Sequence, residues 1–214
     1  VSFSPLQDAI GLTSVNITAA LMRFETPNIQ HFHFDSPREI FQFLANGTGR
    51  TAEELSHIHT LSLRLPNDMH PSLGANLFAA LPAVTTLNIE LTGNANRPLL
   101  ENLLNSARPL QLTQLTLAAA DDSLPSNLWA LPNLEHLTLN MPNVEEISEE
   151  IGGLSALTHL TLGDMPSLVS LPDALTSLAQ DHHLQSITLI DMAEYDISQE
   201  LETLIKYTTT PPKE

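Results

Sequence analysis

Imidazole is the side chain in this sequence best placed to invite chemistry. Nine histidines occur, and several recur in patterns: His136 and His159 each open the same tetrad, His-Leu-Thr-Leu, 23 residues apart, while His31 and His33 alternate within a short apolar run. Imidazoles so placed could ligate a metal, shuttle a proton, or contact a partner in a pH-dependent way. A metal would need three or four ligands at suitable spacing, and no cysteine or obvious carboxylate completes either pair. No metal and no cofactor are therefore expected. Residues 46–51 (NGTGRT) lack the Gly-Lys-Ser/Thr ending of a phosphate loop and follow a helical pattern rather than a strand. There is no Gly-x-Ser-x-Gly, no His-Glu-x-x-His and no cysteine nucleophile. His182 and His183 fall in a long insert without partners. No catalytic residue is assigned, and the histidines read as polar surface groups first and partner contacts second.

The elements that must position these histidines repeat. Leu134-x-x-Leu137-x-Leu139 returns 23 residues later as Leu157-x-x-Leu160-x-Leu162. The same apolar offsets occur at Ile29/Phe32/Phe34, Ile58/Leu61/Leu63, Val84/Leu87/Ile89, Leu112/Leu115/Leu117 and Leu184/Ile187/Leu189, giving seven units at intervals of 29, 26, 28, 22, 23 and 27 residues. Leucines at this period mark a leucine-rich-repeat solenoid. The fold class expected is α/β, a right-handed βα superhelix with a parallel concave sheet of about seven strands. Residues 29–192 hold the repeats and residues 1–28 read as an N-terminal cap. Residues 193–207 read as a C-terminal capping helix, with Ile197, Leu201, Leu204 and Ile205 on one face. Residues 208–214 read as a polar linker, which could lead to a further domain. Long units have room for helices, expected over 37–44 (capped by Ser36), 71–81 and 98–107, each with proline near its start. The Leu-Pro-x-x-Leu segments at Leu124 and Leu171 predict tighter returns.

Residues between the buried leucines face the concave side. One column reads His31, Thr60, Thr86, Gln114, His136, His159, Ser186, and the next His33, Ser62, Asn88, Thr116, Thr138, Thr161, Thr188. A third reads Asp35, Arg64, Glu90, Ala118, Asn140, Gly163, Ile190. Only three of these 21 positions are formally charged, so a neutral, hydroxyl- and imidazole-rich protein-binding face is expected. Its contact residues would be His31, His33, Arg64, Asn88, Glu90, Gln114, Thr116, His136, Thr138, Asn140, His159, Thr161, Ser186 and Thr188. The four threonines from Thr116 to Thr188 suggest a structural ladder, because threonine suits strands and ladders hydrogen-bond. Ice binding would need a second regular column, which Gln114, His136, His159 and Ser186 do not supply. Trp129 reads as packing at the repeat edge ahead of anchoring a partner.

The formal charge of −17, from 25 acids against eight bases, opposes phosphate backbones and anionic lipid, so neither nucleic acid nor membrane is an expected partner. No apolar run approaches the ~20 residues of a membrane span. A monomer is expected. The absence of cysteine favours a reducing compartment or a bacterial origin. Asn16-Ile17-Thr18 and Asn46-Gly47-Thr48 match the glycosylation tripeptide at chance frequency. A start at Val1 without methionine suggests a fragment or a processed chain. Six of the eight bases are arginine, and Lys206 and Lys213 are the only lysines. Compositional drift would explain this, and so would avoidance of lysine-directed modification such as ubiquitination.

Residues 160–175 (LTLGDMPSLVSLPDAL) resemble the plant-type intracellular repeat, L-x-L-x-x-C/N-x-x-L-x-x-L-P-x-x-L. The same pattern occurs in leucine-rich-repeat effectors that plant-pathogenic bacteria inject into host cells by type III secretion. Over residues 29–192 the chain looks most like the Xanthomonas-type effectors that pair a repeat domain with a separate ubiquitin-ligase domain. The resemblance implies that the repeats choose a host protein on their concave face, in the host cytoplasm, while any chemistry resides outside this chain. The two rival expectations are the substrate arm of a ubiquitin ligase and a non-secreted intracellular adaptor. One position departs from the pattern. Where Asn or Cys usually bonds successive turns, this chain carries Pro37, Pro66, Thr92, Ala120, Pro142, Met165 and Met192.

Overall fold

The computed structural model describes residues 30–45, 55–66, 70–93, 97–107, 110–181, 183–192, 195 and 198–208. Alternation of apolar and polar residues along each short run sets the first level of structure, since successive side chains of a strand point to opposite faces. Among the described residues eight strands result: β1 (His31–Phe34), β2 (Thr60–Pro66), β3 (Thr86–Thr92), β4 (Gln114–Ala118), β5 (His136–Asn140), β6 (His159–Gly163), β7 (Ser186–Ile190) and β8 (Ile205–Thr208). They form one sheet in sequential order, and every pairing is parallel. With strands and returns alternating throughout, the molecule is a leucine-rich βα solenoid.

Register places equivalent leucines side by side. Leu61, Leu87, Leu115, Leu137, Leu160 and Ile187 align across β2–β7, as do Leu63, Ile89, Leu117, Leu139, Leu162 and Leu189. All are buried, together with the preceding apolar residue of each unit, from Ile58 to Leu184. Ile29, the equivalent residue of the first unit, lies outside the described residues. Just before each of the first six strands, one carbonyl accepts two N–H groups from the next layer. Gln30 serves His59 and Thr60 in this way, His59 serves Thr85 and Thr86, and the pattern continues to Thr158, which serves Gln185 and Ser186. Each layer is thus pinned to the next at the entry to the sheet.

Unit length decides what fills the other side. The longer early units return through α1 (Pro37–Ala45), α2 (Pro71–Ala80) and α3 (Arg97–Ala107). In α1 the Ser36 hydroxyl accepts from the Glu39 N–H at 3.4 Å, and the buried Glu39 carboxylate accepts from the Asp35 N–H at 2.9 Å, a variant of the capping box. In α2, a Cβ on Gly74 would run into the Leu103 side chain of α3, so glycine lets these two helices approach closely. The two shortest units have room only for 3₁₀ turns, Ser126–Ala130 and Glu149–Gly153. The return at Leu171 was expected to be tight as well. Its 27-residue interval instead accommodates α4 (Ala174–Gln180), whose first N–H groups are accepted by Glu149 of the preceding unit: Asp173 at 2.9 Å and Ala174 at 2.7 Å.

The C-terminal cap differs from the expected helix over 193–207. Among the described residues one helical turn forms there, α5 (Gln199–Glu202), and Ile205–Thr208 becomes β8. Isoleucine, tyrosine and threonine favour a strand, and β7 would otherwise leave its edge unpaired. The edge is satisfied by Ile187 N–H to Leu204 O and Asp191 N–H to Thr208 O, both at 3.0 Å. The sheet therefore has eight strands where about seven were expected. The N-terminal cap (1–28), the NGTGRT segment, both glycosylation tripeptides, His182, and the linker beyond Thr208 lie outside the described residues. No helix among the described residues is long and apolar enough to cross a membrane.

The missing asparagine ladder also has a physical account. In β2–β5 the alternation simply continues, so the residue two after the last strand leucine (Leu65, Leu91, Ala119, Met141) points into the core. In β6 and β7 the extra residue is an aspartate with positive φ, Asp164 at 48° and Asp191 at 54°, a conformation that short polar side chains tolerate. That added residue brings Met165 into the core and sets Met192 against it. Side chains reach back to carbonyls of the preceding unit, in helix α3 at Glu101 and in loops at Ala120 and Leu168. Asn127 Nδ2 donates to Glu101 O and Asn143 Nδ2 to Ala120 O, both at 2.7 Å, and the Tyr195 hydroxyl donates to Leu168 O at 3.2 Å.

Candidate functional site

One face of the sheet packs on the core, and the opposite, open face carries the three expected columns. Backbone pairing confirms their alignment: His31, Thr60, Thr86, Gln114, His136, His159 and Ser186 are in register, and so are His33 through Thr188. Arg64, Glu90, Ala118, Asn140, Gly163 and Ile190 form the third column. Asp35 lies one residue past β1. The register adds a residue that the sequence reading did not place on this face. Lys206 of β8 aligns with Thr188 and is exposed. It was hidden by the helical reading of 193–207, although its neighbours Ile205, Tyr207 and Thr208 carried a strand signal.

At the β1–β3 end, polar groups close on one another. His31 Nε2 sits 2.9 Å from Ser62 Oγ, which also accepts from Asn88 Nδ2 at 3.0 Å. His33 Nε2 meets Asp35 Oδ1 at 2.8 Å. Arg64 Nε donates to Glu90 Oε1 at 3.1 Å across β2 and β3. Burial, with the adjacent His33 second, holds the His31 imidazole below its ordinary pKa.

The β5–β8 end is arranged differently. The His136 and His159 rings stack with centroids 4.4 Å apart and planes 16° from parallel. Thr158 Oγ1 donates to Glu135 O at 2.9 Å and lies 2.7 Å from His159 Nδ1. The single hydroxyl proton is committed to the carbonyl, so Nδ1–H is the donor to Thr158 and Nε2 is where the neutral ring gains a proton. Burial, then His136, then Lys206 lower the His159 pKa from its ordinary value.

The threonine column corrects one expectation. Thr116, Thr138, Thr161 and Thr188 stand in register, but adjacent strands are ~4.8 Å apart, beyond hydrogen-bond reach for hydroxyls pointing away from the sheet. Among the described residues these hydroxyls have no hydrogen-bond partner, so the column is not a hydrogen-bonded ladder. Beside it, the Asn140 amide nitrogen, turned to the sheet, donates to Leu139 O and Gly163 O, both at 3.2 Å. A Cβ at Gly163 would lie 2.6 Å from that amide, so any larger residue there would push the Asn140 side chain aside.

Other features lie off this face. Trp129 is 6% exposed and belongs to the core, which settles it as a packing residue. Asp122, Ser123, Leu124, Asn143, Glu145, Glu146 and Ser148 line an open acidic cleft of about 650 Å³ in the loops after β4 and β5. No group of three or more His, Cys, Asp or Glu side chains among the described residues is placed to hold a metal ion. Comparison with family models and with curated proteins finds no match to this chain.

Proposed function

We propose that this chain is the protein-recognition domain of a secreted bacterial effector, and that it binds a host protein on the open face of its sheet. The observation that carries the reading is the threonine column with its flanking imidazoles. In a chain with 25 acids, β4–β8 present hydroxyl, amide and imidazole groups in register and not one carboxylate among the aligned positions. Eight strands at ~4.8 Å and columns ~6.7 Å apart give a strip of about 34 by 14 Å. A standard interface needs about 800 Å² per partner, so a globular partner would also engage the rims, while an extended segment fits the strip alone.

Lysine scarcity favours a second reading, that the domain is the substrate-selecting arm of a ubiquitin ligase whose catalytic part lies outside these residues. A domain held beside a ubiquitin-transfer centre gains from having few acceptors of its own, and this chain has two lysines. Both readings use the same face.

Photo-crosslinking tests them. A benzophenone side chain placed at Thr138 or Thr161 should capture a protein in host-cell extract, and one at the exposed Ala79 of α2 should not. Thr161→Arg should reduce retention of that protein about tenfold or more, while Ala79→Arg leaves it unchanged. Retention that survives Thr161→Arg would rule out the open face as the site. Ubiquitin transfer by these residues alone would overturn the placement of chemistry elsewhere.

A further inference from the structure

We infer that the β5–β8 end of the open face takes an extended acidic peptide segment of the partner, gripped by His136, His159 and Lys206 across the threonine column. The inference rests on the protein-binding reading above and specifies the chemistry of what is bound. Charge complementarity carries it. Every titratable or charged side chain facing this patch from the sheet is a base or an imidazole: none on β4, His136 on β5, His159 on β6, none on β7, and Lys206 on β8. Lys206 is one of only two lysines in a chain of formal charge −17. The adjacent Thr138, Thr161 and Thr188 hydroxyls, without protein partners among the described residues, are available as donors to carboxylate oxygens.

The stacked imidazoles sharpen the chemistry. Two rings 4.4 Å apart resist joint protonation, and a carboxylate laid against them removes that resistance. His159 Nδ1 is engaged by Thr158, so the incoming proton goes to Nε2 and creates a second N–H donor. The strand ends bear the opposite sign: exposed Glu135 precedes β5, and exposed Asp164 and Asp191 follow β6 and β7. An acidic segment is therefore steered across the strands, along the threonine column, and not parallel to them. Lys206 lies two strands and one column from His159, about 12 Å, the span of three to four residues of an extended chain.

The test is fluorescence anisotropy of the whole chain with a labelled dodecapeptide of repeated Glu-Ser-Ser, against its Gln-Ser-Ser and Lys-Ser-Ser counterparts. The glutamate peptide should bind tightest and gain about fivefold in affinity between pH 7.5 and pH 5.5, because glutamate stays ionised while the imidazoles gain protons. His136→Gln with His159→Gln should flatten that pH dependence. Lys206→Gln should weaken binding about threefold at both pH values. Equal binding of the glutamine peptide, or a pH profile that survives the double histidine change, would overturn the inference. Self-association abolished by Lys206→Gln would also overturn it, assigning the patch to a second acidic copy of this chain. If the crosslinked partner is lost on Thr161→Arg yet fully retained by the histidine and lysine variants, only the acidic-segment inference falls. If it survives Thr161→Arg, both readings fall.

Discussion

The two ends of the open face stand on the same three columns and the same buried leucines, yet they present different surfaces. At β1–β3, Ser62 receives Asn88 and neighbours His31, Asp35 meets His33, and Glu90 meets Arg64. At β5–β8, the imidazoles stack on each other and the threonine hydroxyls have no partner among the described residues. A polar group that has already exchanged water for a protein partner gains little from a ligand, whereas one still facing water can make that exchange on binding. Under the proposed protein-binding role, this contrast favours the second end as the contact region, with the first as its self-satisfied continuation.

If this difference belongs to the surface alone, changing the surface should leave the fold intact. Leu160 and Thr161 are adjacent on β6 and point to opposite faces. Leu160→Asp places an unpaired carboxylate between Leu137 and Ile187 and should cost about 4 kcal/mol or more, enough to unfold the middle of the array. Thr161→Arg should stay within about 0.5 kcal/mol. Thermal melts followed by circular dichroism compare them directly. A Thr161→Arg loss near that of Leu160→Asp would mean that the open face is structural after all.

The third column offers an intermediate test. At the β5–β6 position the Asn140 amide lies over Gly163, while at β2–β3 the same column holds two long side chains, Arg64 and Glu90, that reach each other outside the sheet. Gly163→Ala should therefore destabilise by about 1–3 kcal/mol through overpacking. Adding Asn140→Ala should recover most of that loss in denaturant titrations, since it removes the clashing amide. No recovery would place the strain in the backbone.

How far these columns were legible in advance depended on what each residue's role rests on. Leu137, Leu160 and their equivalents were readable because burial of a repeated apolar triplet is a periodic property, and periodicity survives in the sequence. The columns followed from strand alternation once the triplets were fixed. Lys206 was missed because Leu201, Leu204 and Ile205 suit a helical face as well as a turn followed by a strand, and the unpaired edge of β7 that favours the strand is a tertiary fact. The threonines were placed correctly but their hydrogen bonding was not, since hydroxyl reach depends on strand spacing and direction. The side chains that replace the asparagine ladder bond across layers 26 and 23 residues apart, and the N–H groups of the left-handed Asp164 and Asp191 bond Ile190 O and Thr208 O in the next strand. No local pattern encodes those.

A smaller effect is expected at the self-paired end. Arg64 and Glu90 are exposed, and their ion pair is screened by water and salt. A double-mutant cycle with Arg64→Ala and Glu90→Ala should give a coupling of about 0.2–1 kcal/mol, shrinking in 0.5 M salt. A coupling that is larger and insensitive to salt would show that this end is rigidly held and not merely satisfied.

The smallest effect is the most specific. His159 and His31 both have lowered pKa values, so in the window between each depressed value and the ordinary imidazole value of about 6.5 the unfolded chain binds protons that the folded chain does not. Both therefore contribute stability that is present above about pH 6.5 and lost as pH falls through that window. Because these rings face solvent at the sheet surface, ring-proton NMR titration reads the effect more directly than melting. The causes then separate the two ends. Lys206→Gln should move His159 upward toward its ordinary value and leave His31 where it is, because Lys206 contributes only to the former. His136→Gln should also move His159 upward, and by more than Lys206→Gln does, since the stacked ring ranks ahead of the lysine among the causes. A His159 that ignores both changes would be governed by burial alone, and the imidazole stack and lysine would then not act as one electrostatic unit.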